Sequence, residues 1–216
     1  MKIVNGVSGS IDQRNSMYPS RSDKVNDVHF STEPYSTLYG FVLSGETILP
    51  NGWKVKSKEY FCYSSKNKTE TVEVNGSCVI TTRLGYIGQN SLGGPIEKSG
   101  RLCYMDGCSD SLLIYPPRSG DPSMSLLFFP PDTNQTFHIH PSIRLGIVVD
   151  GKGQACLSRE SFSLSTGDIF CVEERENHRF QTTDSSMTVI AFHPDGDWGP
   201  TDQNHTMLNR TYVINK

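Results

Sequence analysis

Apolar residues in this chain come in short runs that clusters of Gly, Asn, Asp, Ser and Pro cut apart, and helical spacing is almost absent. Runs of about four to eight β-branched and aromatic residues between turn-forming clusters form strands and hairpins. "TLYGFVLSGETIL" and "WKVKSKEYFCYSS" fit that pattern, and "TVEVNGSCVITTRLGYIG" carries an Asn75-Gly76 pair that signals a hairpin turn. The Pro-Pro pairs Pro116-Pro117 and Pro130-Pro131 mark strand ends, because proline cannot donate to a ladder. The later part of the chain reads as "MSLLFF", "TFHIH", "RLGIVV", "GQACLS", "ESFSL", "DIFCV", "HRFQT" and "MTVIAFH", a count that suits a small barrel or sandwich. The expectation is an all-β, antiparallel protein.

The chain is long enough, at 216 residues, for one large or two small β domains. The expected division is an amino-terminal β domain over 1–100 and a carboxy-terminal barrel with a tail over 101–216. The halves echo each other: "YGFVLSGETIL…WKVKSKEYFCYSS" has the rhythm of "LGIVVDGKGQACL…FSLSTGDIFCVEE", strand, tight turn, strand, then a hairpin into another strand. Two readings stay open, a duplicated barrel or one barrel with a β extension. The net charge of −3 carries no basic block, which argues against a nucleic-acid partner. No apolar run reaches transmembrane length and the amino end is polar, so no membrane role is expected. Six cysteines without a CxxC pair read as free thiols, and the expected location is cytoplasmic.

Chemistry concentrates in "QTFHIHPSIRLGIVVDGKG". Residues two apart on a strand face one way, so His138 and His140 would point together like a chelate. A third ligand must come from elsewhere, and His178 in "ENHRFQT" is the candidate. Arg144 shares their parity. A guanidinium is no ligand and a dication repels it. Arg144 therefore either turns outward or waits to clamp a substrate anion. His193 after "MTVIAF" is either a proton-transfer group or a strand-end histidine. Gln135, Tyr104, Arg118 and Trp198 are further candidates for the substrate pocket, Trp198 as a closing side chain and Tyr104 and Arg118 if the belt before the barrel folds over its mouth.

These spacings resemble the cupin superfamily, whose two motifs run GxxxxxHxHxxx(x)ExxxxxxG and GxxxxxPxGxxHxxxN. His138, His140 and Gly151 match the first, and Gly167 and His178 the second, over roughly residues 125 to 195. The departures are Asp132 for the first glycine, Arg144 or Leu145 for the glutamate, and Glu173, Arg175 and Thr182 for Pro, Gly and Asn. In the family the glutamate is a metal ligand, so the resemblance implies a site of three histidines and no carboxylate. Such a set suits Fe(II), Zn, Ni, Mn or Cu and leaves positions open. Three-histidine relatives include Fe(II) dioxygenases, which makes a mononuclear dioxygenase acting on a small anionic substrate the leading expectation, with Arg144 as anchor. A non-redox lyase or isomerase and a non-enzymatic ligand-binding barrel are the alternatives. Cupins commonly dimerise, and a homodimer is expected.

Overall fold

A computed structural model describes residues 1–196. Eight strands come first: β1 (Lys2–Val4), β2 (Gly9–Gln13), β3 (Ser20–Ser31), β4 (Ser36–Ile48), β5 (Lys54–Lys56), β6 (Tyr60–Ser65), β7 (Thr71–Leu84) and β8 (Ser91–Gly93). The rest follow as β9 (Leu102–Cys103), β10 (Ser109–Ile114), β11 (Ser123–Phe129), β12 (Arg144–Leu157), β13 (Ser161–Ser165), β14 (Ile169–Val172), β15 (His178–Gln181) and β16 (Met187–His193). All pairings are antiparallel. One sheet runs β2-β3-β7-β4-β6-β8, with β5 on β4. The other runs β1-β14-β12-β16-β11-β10-β9, with β13 and β15 on the far half of β12. The all-β expectation is met.

Two local readings need correction. Asn75-Gly76 is not a hairpin turn: β7 runs through it, and the chain bends there instead. Gly45 and Gly76 face each other at that bend with φ of 75° and 117°. "RLGIVV" and "GQACLS" likewise form one strand, β12, which bends at Gly151 and joins both walls of the carboxy-terminal barrel. In each case glycine lets a strand change direction without ending it. Strand β1, near the amino end, pairs with β14 of the carboxy-terminal sheet.

Alternation along the strands sorts the core into three layers. Phe129, Phe170, Phe180, Val189 and Ala191 fill the carboxy-terminal interior. Leu38, Val42, Phe61, Val72 and Ile80 fill the amino-terminal one. Between them, Tyr39, Phe41 and Val79 of one sheet meet Leu145, Ile147, Ile190 and Phe192 of the other. The two halves thus share a buried apolar face.

The register repeats between halves. Gly40 lies opposite Phe61, and Gly146 opposite Phe170. A Cβ on either glycine would lie 2.1 Å or 2.4 Å from the facing ring. The ladder slips between Val42 and Ser44 on β4 and between Val148 and Asp150 on β12. The bend glycines Gly45 and Gly151 have φ of 75° and 76°, and each lies tight against a backbone carbonyl across the ladder, of Asn75 and Ser186.

Candidate metal centre

"TFHIH" does not form a strand, contrary to expectation. Residues 134–143 are irregular and touch the sheet through two isolated bridges, Asn134 to Gln181 and His138 to His178. The His138 N–H donates to the His178 carbonyl at 2.9 Å, and the His178 N–H returns a bond to His138 at 3.0 Å. Arg175 N–H donates to the His140 carbonyl at 2.9 Å. A third tether comes from the belt: Asp106 Oδ2 accepts from the Thr136 N–H at 2.6 Å. Alternation survives this irregularity, with Phe137 and Ile139 exposed and the two histidines turned in.

The three rings gather with centroids 4.4 Å (His138–His178), 5.0 Å (His138–His140) and 5.1 Å (His140–His178) apart. One ligand nitrogen from each lies within 4.8 Å of the others. A tetrahedral ion with Zn–N bonds of about 2.1 Å needs nitrogens roughly 3.4 Å apart, a spacing inside the 4.8 Å limit of this group. The donor chemistry fits a metal. His138 Nδ1 lies 2.8 Å from the Thr136 carbonyl, and His178 Nδ1 lies 2.8 Å from the Glu176 carbonyl. A carbonyl only accepts, so each Nδ1 carries the proton and each Nε2 keeps its lone pair free. Burial, then the Arg144 charge, lowers His140 to about 2. Burial lowers His178 to about 4, against the opposing pull of the Glu176 carbonyl. Both imidazoles are therefore neutral at physiological pH, as ligands must be.

The rings line a cavity of about 260 Å³ whose remaining wall is largely apolar, including Leu127, Phe129, Phe170, Phe180 and Val189. Arg144 lines this cavity rather than turning outward, and its guanidinium is held in a salt bridge. Its Nη1 donates to Ser142 Oγ at 2.6 Å and to the Ile143 carbonyl at 2.9 Å, and pairs with Asp195 at 3.2 Å. His193 also lines the cavity, as interior parity along β16 requires. Burial, then Arg144, lowers it to about 3. Tyr104 stands in the wall, its phenol pushed up by burial and next by Asp110. Gln135 is buried there, but its amide is braced: Nε2 donates to Cys108 Sγ at 3.6 Å and Oε1 accepts from Phe180 N–H at 3.2 Å.

Arg118 does not belong to this wall. Its exposed guanidinium grips Asp121 in a two-pronged pair at 2.9 Å and 3.0 Å, because the turn that carries both closes on itself. Trp198 lies outside the described residues. Sequence reasoning missed Ser142 and Asp110. Asp195 reads from the sequence as a turn residue or an outer support of the site, and the fold brings it to Arg144.

Three motif departures have local accounts. Asp132 and Arg175, which stand at motif glycines, have φ of 60° and 55°, the left-handed region that favours glycine. Thr182, at the motif asparagine, accepts from Thr133 N–H at 3.0 Å and donates to the Pro130 carbonyl, tying the loop to β15.

A family model described as a cupin domain matches residues 125–193. No curated protein matches the sequence. Among solved structures, the cupin 2 conserved barrel domain protein of Leptotrichia buccalis is similar with TM-score 0.61 at 14% identity, covering 90% of this chain and 89% of that one. A salicylate 1,2-dioxygenase of Pseudaminobacter salicylatoxidans gives TM-score 0.62 at 10% identity, covering 83% and 71%. Bacillus subtilis oxalate decarboxylase gives TM-score 0.55 at 8% identity, covering 89% and 74%. At these identities the likeness is one of fold. The motif spacing, the antiparallel barrel and the matched segment agree that residues 125–193 match a cupin domain and that the chain has the fold of a cupin barrel.

Proposed function

We propose that the protein is a metal-dependent enzyme in which His138, His140 and His178 hold one divalent transition-metal ion, Fe(II) in the leading reading. It would act as a dioxygenase on a small molecule with an anionic end. The observation that carries this is the meeting of three inward imidazoles, two of them locked by backbone carbonyls as Nδ1–H tautomers, at a largely apolar cavity. Iron held by these three histidines would supply the redox and Lewis-acid chemistry that a dioxygenase needs. The chain's own residues do the rest. Arg144, held by Ser142 and Asp195, orients the anionic end of the substrate. His193, kept neutral by burial, accepts a substrate proton at a ring nitrogen. The phenylalanines and Val189 exclude water.

The fold neighbours support both this reading and a second. The salicylate dioxygenase has been crystallised with gentisate, and the oxalate decarboxylase has Mn(II) centres. The second reading is therefore a non-redox, Mn-type lyase. Oxygen uptake separates them: protein loaded anaerobically with Fe(II) and offered small aryl and aliphatic acids should consume oxygen with one of them. Turnover without oxygen uptake, with Mn(II) as the best metal, would favour the lyase.

The same proposal treats the amino-terminal half as a second cupin that has lost its metal. The repeated Gly–Phe pairs, bulges and bend glycines support it. At the strand position of Arg144 it has the fully buried Leu38. A cytoplasmic site of action belongs to this reading too, supported by six free cysteines. So does a homodimer, which sizing in solution tests.

A further inference from the structure

Asp110 is the cavity residue that the reading above leaves without a task. It sits on β10 opposite Leu127, whose side chain faces the barrel interior, and it lines the same cavity as the histidines. It is 7% exposed. Among the described residues no hydrogen bond or ion pair reaches its carboxylate, and burial raises its pKa with no opposing partner. The other charged groups of the wall, Arg144 and Asp195, pair with each other at 3.2 Å. Asp110 is thus a largely buried acid whose carboxylate opens onto the cavity and whose charge no described neighbour offsets. Buried carboxylates without donors destabilise a fold. A ligand group that donates hydrogen bonds and carries positive charge would supply the missing partner.

We propose that Asp110 binds the amino group of the substrate, so that the natural substrate is a small apolar molecule bearing both an ammonium and an anionic end. The ammonium would sit on Asp110, the apolar body against Leu127, Phe129 and Val189, and the anionic end toward Arg144 and the metal. This rests on the metal-site reading for the anionic end alone. The Asp110 subsite is defined by the protein wall and can be tested without metal.

The test uses the metal-free full chain, with benzylamine and benzyl alcohol as probes in titration calorimetry at neutral pH. A charge-assisted bond to a buried carboxylate should make benzylamine bind at least about tenfold tighter than the alcohol. Asp110→Asn should abolish that preference, raise the melting temperature and leave Zn(II) affinity within about threefold of the parent, a span of less than 1 kcal/mol. Equal binding of the two probes by the parent protein overturns the proposal. So does a preference that persists in D110N, or a D110N protein that is destabilised or unfolded, since the carboxylate would then be structural. An amine preference in a protein that binds no metal would sink the metal reading and leave the Asp110 subsite standing.

Discussion

Two backbone carbonyls, of Thr136 and Glu176, decide what His138 and His178 can be. Each fixes one tautomer and turns the other ring nitrogen toward the cavity, which is the state a transition metal requires. Replacing His178 with Ala should lower Zn(II) or Fe(II) affinity by at least about 100-fold, beyond the 10–100-fold typical of losing an outer-shell partner. Titration against a chelator of known affinity measures it. The pH dependence has a definite sign. His140, His178 and His193 are lowered from an ordinary value of 6.5 to about 2, 4 and 3. Below pH 6.5 the unfolded chain takes up protons that the folded chain refuses, so stability is full above that pH and falls as the solution is acidified toward the folded values. Each group contributes at most about 1.4 kcal/mol per pH unit over that window. Melting of the metal-free protein from pH 7.5 to 5 should show this decline, and His193→Phe should make it shallower. Asp195→Asn removes a charged partner from Arg144 at 3.2 Å and should cost about 1.5–3 kcal/mol, read from denaturant unfolding.

At the scale of elements, the barrel depends on glycines that face rings. A methyl group on Gly146 would stand 2.4 Å from the Phe170 ring, so Gly146→Ala should destabilise by about 1–3 kcal/mol, measured by thermal or urea unfolding. Much of this level was legible in the sequence. The run lengths and turn residues identified strands, and the two histidine spacings located three residues that the fold does bring together. The parity that linked Arg144 to the histidines also held, although the reason differs: the histidines sit on an irregular segment pinned by β15 and by Arg175 rather than on a strand. Asn75-Gly76 misled because a bend within a long strand uses the same residues as a hairpin turn. Asp110 stayed hidden because strand parity says which way a residue points and nothing of what lies across the cavity. Arg118 was misplaced for the opposite reason, since its partner Asp121 was three residues away.

At the scale of the whole molecule, the described residues form two sheets with a common apolar face, where Tyr39, Phe41 and Val79 meet Leu145, Ile190 and Phe192. Strand β1 crosses the division to pair with β14. Separating the halves would expose that face and an unpaired strand edge. A fragment of residues 101–216 should therefore aggregate or bind a hydrophobic dye, whereas the full chain unfolds in one cooperative step. The arrangement makes the amino-terminal half a scaffold: its rigid sheet backs β12, β14 and β16, which present Arg144, Phe170 and His193 to the cavity. The central claim remains that three imidazoles in the carboxy-terminal barrel hold a single ion. Metal analysis of the full chain, purified without chelators from metal-supplemented cells, addresses it most directly. The account predicts about one divalent transition-metal ion per chain, as a mononuclear site requires, and none in a variant with His138, His140 and His178 all changed to Ala. A parent protein that neither retains nor takes up such an ion, or a triple variant that holds it equally well, would contradict the account.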